Sequence, residues 1–138
     1  MKIFIRYFLP WLLAAIFLIF LSTRSADELP KFDLWGIDKI FHFFYFLGLT
    51  LLTARLVFAG FKKNPKRKLT TQVIAFLIAI LFGLLDEGLQ SQSMGRSVDL
   101  YDLIADSFGA LAGVLLFPLY RQKVAEIEAE LARKSRTR

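Results

Sequence analysis

Cysteine is absent from the 138 residues, and histidine occurs once, at position 42. The first absence excludes a disulfide scaffold, a thiol nucleophile and any zinc site built on thiolates. The second excludes a poly-histidine metal centre. Long stretches also lack charge altogether, and hydrophobic residues reach 56% of the chain with glycine left out of that figure. Soluble domains hold about 45–50% apolar residues with glycine included, so the surplus must face something other than water. A net charge of +6 on a folded polar domain would raise nucleic acid as a partner. Here the cations flank apolar runs, and no nucleic-acid partner is expected.

Four windows are long and nearly uncharged: residues 7–23, 40–61 (interrupted by Arg55), 69–85, and 103–120 (interrupted by Asp106). A helix needs ~20 apolar residues, with ~17 as a minimum, to cross about 30 Å of hydrocarbon. Core helices of a soluble protein would carry polar outer faces, and stretches such as Val73 to Phe82 have none. The expectation is an all-α, integral membrane four-helix bundle. Its four-span domain covers residues 1–120, and a basic tail follows at 121–138. The first window follows Lys2 and Arg6 as a secretory signal would. It is longer than the ~7–15-residue core of such signals, and Arg24 sits inside the only small-residue stretch that follows, so an uncleaved span is expected.

Lys and Arg are retained on the cytoplasmic side during insertion. Fourteen of the basic residues, with three acids, fall at the N-terminus, the 62–68 connection, Arg55 and the tail; four, with nine acids, fall on the other side. The sides therefore carry +11 and −5, and both termini are expected in the cytoplasm. Pro118, Tyr120 and Arg121 mark the expected exit of the last span. In the tail, Val124, Ile127 and Leu131 fall on one face of a short charged helix suited to anionic lipid head groups.

Ionisable groups at membrane depth cost roughly 2.5–3.5 kcal/mol each, so they pair and face the bundle interior. Asp38, His42 and Tyr45, spaced i, i+4, i+7, share a helix face, from which Lys39 points away. Asp38 can serve as a favourable charge at the helix start and His42 as an imidazole satisfied by a carboxylate; a proton-transfer or ligand-contacting pair is the functional alternative. Gly83, Glu87 and Gln90 share a second face, with Asp86 displaced toward the rim, and Arg96 is the cation expected nearest these acids. Asp99, Asp102, Asp106, Gly109 and Gly113 form a third stripe. Its glycines, four apart, allow a neighbouring helix to approach closely and would carry the aspartates against the helix bearing Glu87 or His42.

The run Glu87-x-x-Gln90, Gly95-Arg96-Ser97, Asp99-x-x-Asp102, Asp106, Gly109 and Gly113 resembles the VanZ-like membrane proteins, as does Asp38-Lys39-x-x-His42-Phe43. Where that family often has asparagine after the paired aspartates, this chain has Asp106. The resemblance implies a small helical bundle with polar residues gathered at the extracytoplasmic side of a bacterial plasma (inner) membrane, and an effect at the cell envelope of the kind linked to teicoplanin susceptibility.

The favoured reading is therefore an outer cavity lined by Asp38, His42, Glu87, Gln90, Arg96, Asp99, Asp102 and Asp106. It would bind the head group of a lipid-linked or cell-wall precursor, with membrane lipids as the other partners. One alternative is an enzyme acting on such a precursor, with Glu87 or Asp102 as base beside His42. The other is a structural clamp. No cofactor and no metal ligand set is assigned, although acids at i, i+3, i+7 can hold Mg²⁺ or Ca²⁺.

Overall fold

The computed structural model describes residues 4–29, 36–61 and 67–136, and the regular structure among them is helical. A π-helical turn, Phe4–Phe8, leads into α1 (Leu9–Ser22); α2 (Ile37–Gly60), α3 (Arg67–Gln90) and α4 (Leu100–Arg136) follow, with a 3-10 turn at Ala26–Glu28. Among the described residues, four helices are long and apolar enough to cross a membrane: Phe4–Ser22, Ile37–Gly60, Lys68–Gln90 and Leu100–Ile127. The stretches expected at Pro30, Trp35 and residues 62–66 lie outside the described residues.

Local chemistry explains most of the boundaries. Pro10 stands where the π-helical turn passes into α1, and proline supplies no backbone N–H for a bond back into that turn. Gly36 precedes α2 at φ 83°, a left-handed conformation that glycine adopts without a Cβ clash. Asp99 caps α4: its Oδ1 accepts the Tyr101 N–H at 2.8 Å, satisfying one of the free donors of the first turn.

Two helices run further than their uncharged windows. The third continues from residue 85 to Gln90 because Asp86, Glu87 and Gln90 are buried between helices. The fourth does not end at residue 120 but continues into the tail as one helix of 37 residues, with Pro118 inside it. Proline removes one backbone donor and leaves the carbonyl four residues earlier unpaired. That carbonyl belongs to Val114, and Gln72 of α3 donates to it at 2.8 Å. A neighbouring side chain thus replaces the missing bond, as helices in lipid require.

Contacts at the ends fix an alternating up-down arrangement. Ser22 at the end of α1 meets Asp86 near the end of α3, while His42 early in α2 meets Asp106 early in α4. Small residues line the interior: Ala54, Ala75, Ala79 and Ala110 are fully buried, along with Phe46, Leu49 and Phe117. The outward positions, among them Phe17, Phe44, Leu81 and Leu115, are apolar and exposed, as a lipid-facing surface requires. The peripheral α1 is tied on by Trp11, whose Nε1 donates to Thr53 Oγ1 at 2.9 Å, and by Tyr45, whose hydroxyl donates to the Ala14 carbonyl.

Candidate functional site

The glycine stripe of α4 determines where its acids go. A Cβ on Gly109 would overlap the Phe43 carbonyl, and one on Gly113 would lie 2.9 Å from both the Leu47 carbonyl oxygen and Thr50 Cβ. The stripe therefore packs on α2, the helix that bears His42. Gly83 of α3 closes the third side: a Cβ there would stand 3.2 Å from Asp106 Oδ2. Held this way, Asp106 is 1% exposed, and its Oδ1 lies 2.9 Å from His42 Nδ1. Asp86 Oδ2 lies 3.8 Å from the same nitrogen, and Asp102 Oδ2 lies 3.9 Å from Nε2.

Asp86 is the residue that sequence reasoning missed. It does not sit at the rim but is 1% exposed. The Ser22 hydroxyl directs its proton at the Asp86 carboxylate and at the Leu18 carbonyl. Gln90 Nε2 donates to Asp86 Oδ2 at 2.8 Å, and Gln90 Oε1 accepts from Arg96 Nη2. Arg96 Nη1 also reaches the Leu21 carbonyl at 3.3 Å. A continuous polar chain results, from Arg96 through Gln90, Asp86 and His42 to Asp106. The Asp86–Gln90 spacing of four was the available signal.

The face proposed for Asp38, His42 and Tyr45 is divided among separate partners. Asp38 is at the exposed rim, His42 faces the acids, and Tyr45 turns to α1. Lys39, expected to point away, sends its ammonium into the acids instead. Its Nζ lies 2.8 Å from Asp38 Oδ2, 2.5 Å from Asp99 Oδ2 and 2.6 Å from Asp102 Oδ1. Helical angles locate a Cβ, whereas a four-carbon stem carries its charge well away from that direction. The Lys39 hydrogen bond holds the Asp99 carboxyl below the usual carboxylate range. Glu87 Oε2 accepts the Asp99 N–H at 2.7 Å, which links the end of α3 to the start of α4.

Charge at this end is unbalanced. Asp38, Asp86, Glu87, Asp99, Asp102 and Asp106 face Lys39, Arg96 and the single imidazole. Glu87 Oε1 and Asp106 Oδ2 are buried without a hydrogen-bond partner, although buried acceptors are ordinarily satisfied. Donor atoms of His42, Asp86 and Asp106 lie within 4.8 Å of one another, as do those of Asp38, Asp99 and Asp102. The second group surrounds the Lys39 ammonium; in the first, His42 Nδ1 meets Asp106 Oδ1 and Asp106 Oδ2 is the oxygen left without a partner.

Comparison with known proteins gives three findings. The model of the VanZ/LLP1 family matches residues 4–121. An uncharacterized protein of Schizosaccharomyces pombe is 34% identical over 113 residues, covering 81% of this chain and 66% of its own length, so the chain spans just under two thirds of that relative. No solved structure matches.

Proposed function

The chain belongs to the VanZ/LLP1 family, and from that premise we propose that it is an envelope membrane protein whose outer polar end binds a head group rich in donors. The observation that carries this reading is the surplus of acceptors. A clamp serving only to hold helices together would balance its charges, whereas here six carboxylates outnumber their cations and buried oxygens of Glu87 and Asp106 lack donors. Such a site favours an ammonium or hydroxyl group over a free anion. The ligand class is the amine- or sugar-bearing head group of a membrane lipid or lipid-linked cell-wall precursor. The proposed location is the plasma membrane, the bacterial inner membrane on the VanZ resemblance, with both termini in the cytoplasm. Teicoplanin susceptibility is the phenotype to score on the same resemblance.

A second reading rests on Asp106. Its unpartnered Oδ2, beside the His42, Asp86 and Asp106 donors, suits a divalent cation such as Mg²⁺ or Ca²⁺ as the species that neutralises the surplus.

Mass spectrometry of lipids and precursors copurifying with the full chain tests the function. The wild type is expected to retain an amine- or hydroxyl-bearing species, and Glu87→Gln, which replaces an acceptor with a donor, is expected to bind it at least about tenfold more weakly, equivalent to about 1.4 kcal/mol. Equal retention by both proteins overturns the reading. Retention that depends on added Mg²⁺ or Ca²⁺, and is lost in Asp106→Asn, favours the cation.

Topology is checked separately. The chain has no native cysteine, so Ser97→Cys, on the exposed α3–α4 connection, is expected to react with a membrane-impermeant maleimide in intact cells. Asn64→Cys is expected to react only after lysis. The reverse pattern would invert the protein.

A further inference from the structure

The opposite end of the bundle carries a different chemistry. Arg55 lies within the span Ile37–Gly60, where a charged side chain requires a partner. Its guanidinium carbon stands 5.0 Å over the Tyr7 ring. Arg121, one turn beyond the buried Phe117, stands 4.9 Å over the Phe58 ring. Both arginines line one cavity of about 150 Å³, between the π-helical turn that precedes α1, the end of α2 and the middle of α4, together with Tyr7, Phe58, Phe117 and Tyr120.

A ring under a guanidinium engages the face of the cation. It leaves the five N–H donors at the edge unused. Among the described residues, neither Arg55 nor Arg121 is within ion-pair distance of a carboxylate or donates a hydrogen bond, whereas Lys39, Arg96 and Lys123 all do so. Two planar forks opening on one cavity fit an anion with several oxygens, and bidentate geometry favours phosphate. The remaining wall is apolar, with Ala59, Val124 and Ala125, and the tyrosines are residues typical of the head-group level. A free phosphate has no use for such a wall; an acyl chain leaving the phosphate does.

We propose that this cavity between the π-helical turn, α2 and α4 binds the phosphate of an anionic phospholipid through Arg55 and Arg121. Positive clusters between spanning helices are suited to such head groups. The site lies at the far end of the bundle from Glu87 and His42 and does not depend on the function proposed for them.

Native mass spectrometry of the delipidated full chain in detergent tests it, with phosphatidylglycerol, phosphatidylcholine and inorganic phosphate as probes. Phosphatidylglycerol is expected to bind at least tenfold more tightly than phosphatidylcholine, and the double variant Arg55→Gln/Arg121→Gln is expected to lose that preference. Arg55→Lys, which keeps the charge but not the fork, should fall between the two. Arg121 is exposed, so Arg121→Gln alone is expected to fold normally and still lose most of the preference, which protects the test if Arg55→Gln fails to fold. Equal binding of the two lipids, or an unchanged preference in a folded Arg121→Gln protein, overturns the proposal. Inorganic phosphate binding as tightly as phosphatidylglycerol would support the arginine pair as a phosphate site and overturn its assignment to lipid.

Discussion

Gly109→Ala is expected to lower the unfolding free energy of the detergent-solubilised protein by about 3 kcal/mol, the upper part of the range for inserting a methyl group into a packed interior. The new Cβ would collide with the Phe43 carbonyl. A side chain in the way could change rotamer, but a helix backbone can only retreat as a whole. The same separation would draw Asp106 away from His42, so that loss of packing and loss of a buried pair come together. Gly113→Ala, with its nearest neighbours at 2.9 Å, should follow in the same direction to a smaller extent. Gly88→Ala is the control: nothing lies within 4 Å of the added carbon, and alanine within a helix is favoured over glycine by roughly 0.5–1 kcal/mol. Thermal unfolding followed by tryptophan fluorescence reads all three. A Gly109→Ala protein that melts with the wild type would mean that the α2–α4 contact is looser than its geometry.

The four spans were legible because lipid demands long uncharged windows, and the stripe from Asp99 to Gly113 was legible because glycines at a spacing of four have a clear packing use. The errors share one cause. Spacing places a Cβ on a helix, while Asp86 and Lys39 depend on what lies across the interface. Asp86 is buried because Ser22 of α1 and Gln90 provide donors, and no pattern within α3 discloses the former. Lys39 reaches Asp99 and Asp102 from the side of its helix. Pro118 is accommodated inside α4 because Gln72 stands beside the freed Val114 carbonyl. In each case a partner distant in sequence overrides a sound local rule. The resemblance of the polar run to VanZ-like proteins was visible in the order of its residues, and the family match agrees with it; what the polar end binds is not written in that order.

His42→Leu is expected to cost about 3 kcal/mol, the lower end of the penalty for removing one member of a buried pair, because Asp106 is buried while His42 is half-buried. The loss would be concentrated at Asp106, whose Oδ2 already lacks a partner and whose Oδ1 would then lose the imidazole at 2.9 Å. Asp106→Leu should be costly too, since it leaves the half-buried imidazole of His42 beside a leucine. The double variant His42→Leu/Asp106→Leu is expected to be much less destabilised than the sum of the singles, with a coupling of about 1.5–3 kcal/mol for groups in direct contact. Additive losses would show that the pair does not act as a unit. Asp106→Asn then separates the roles that a stability measurement confounds. The amide preserves the shape and can still meet His42, so the fold should survive with a modest loss, while the negative charge offered to a ligand is gone. A folded Asp106→Asn protein that retains its copurifying species as the wild type does would assign this carboxylate to the bundle alone. Loss of the species with the fold intact would assign it to binding, and the buried acids could then be divided one by one into those that hold the helices and those that hold the ligand.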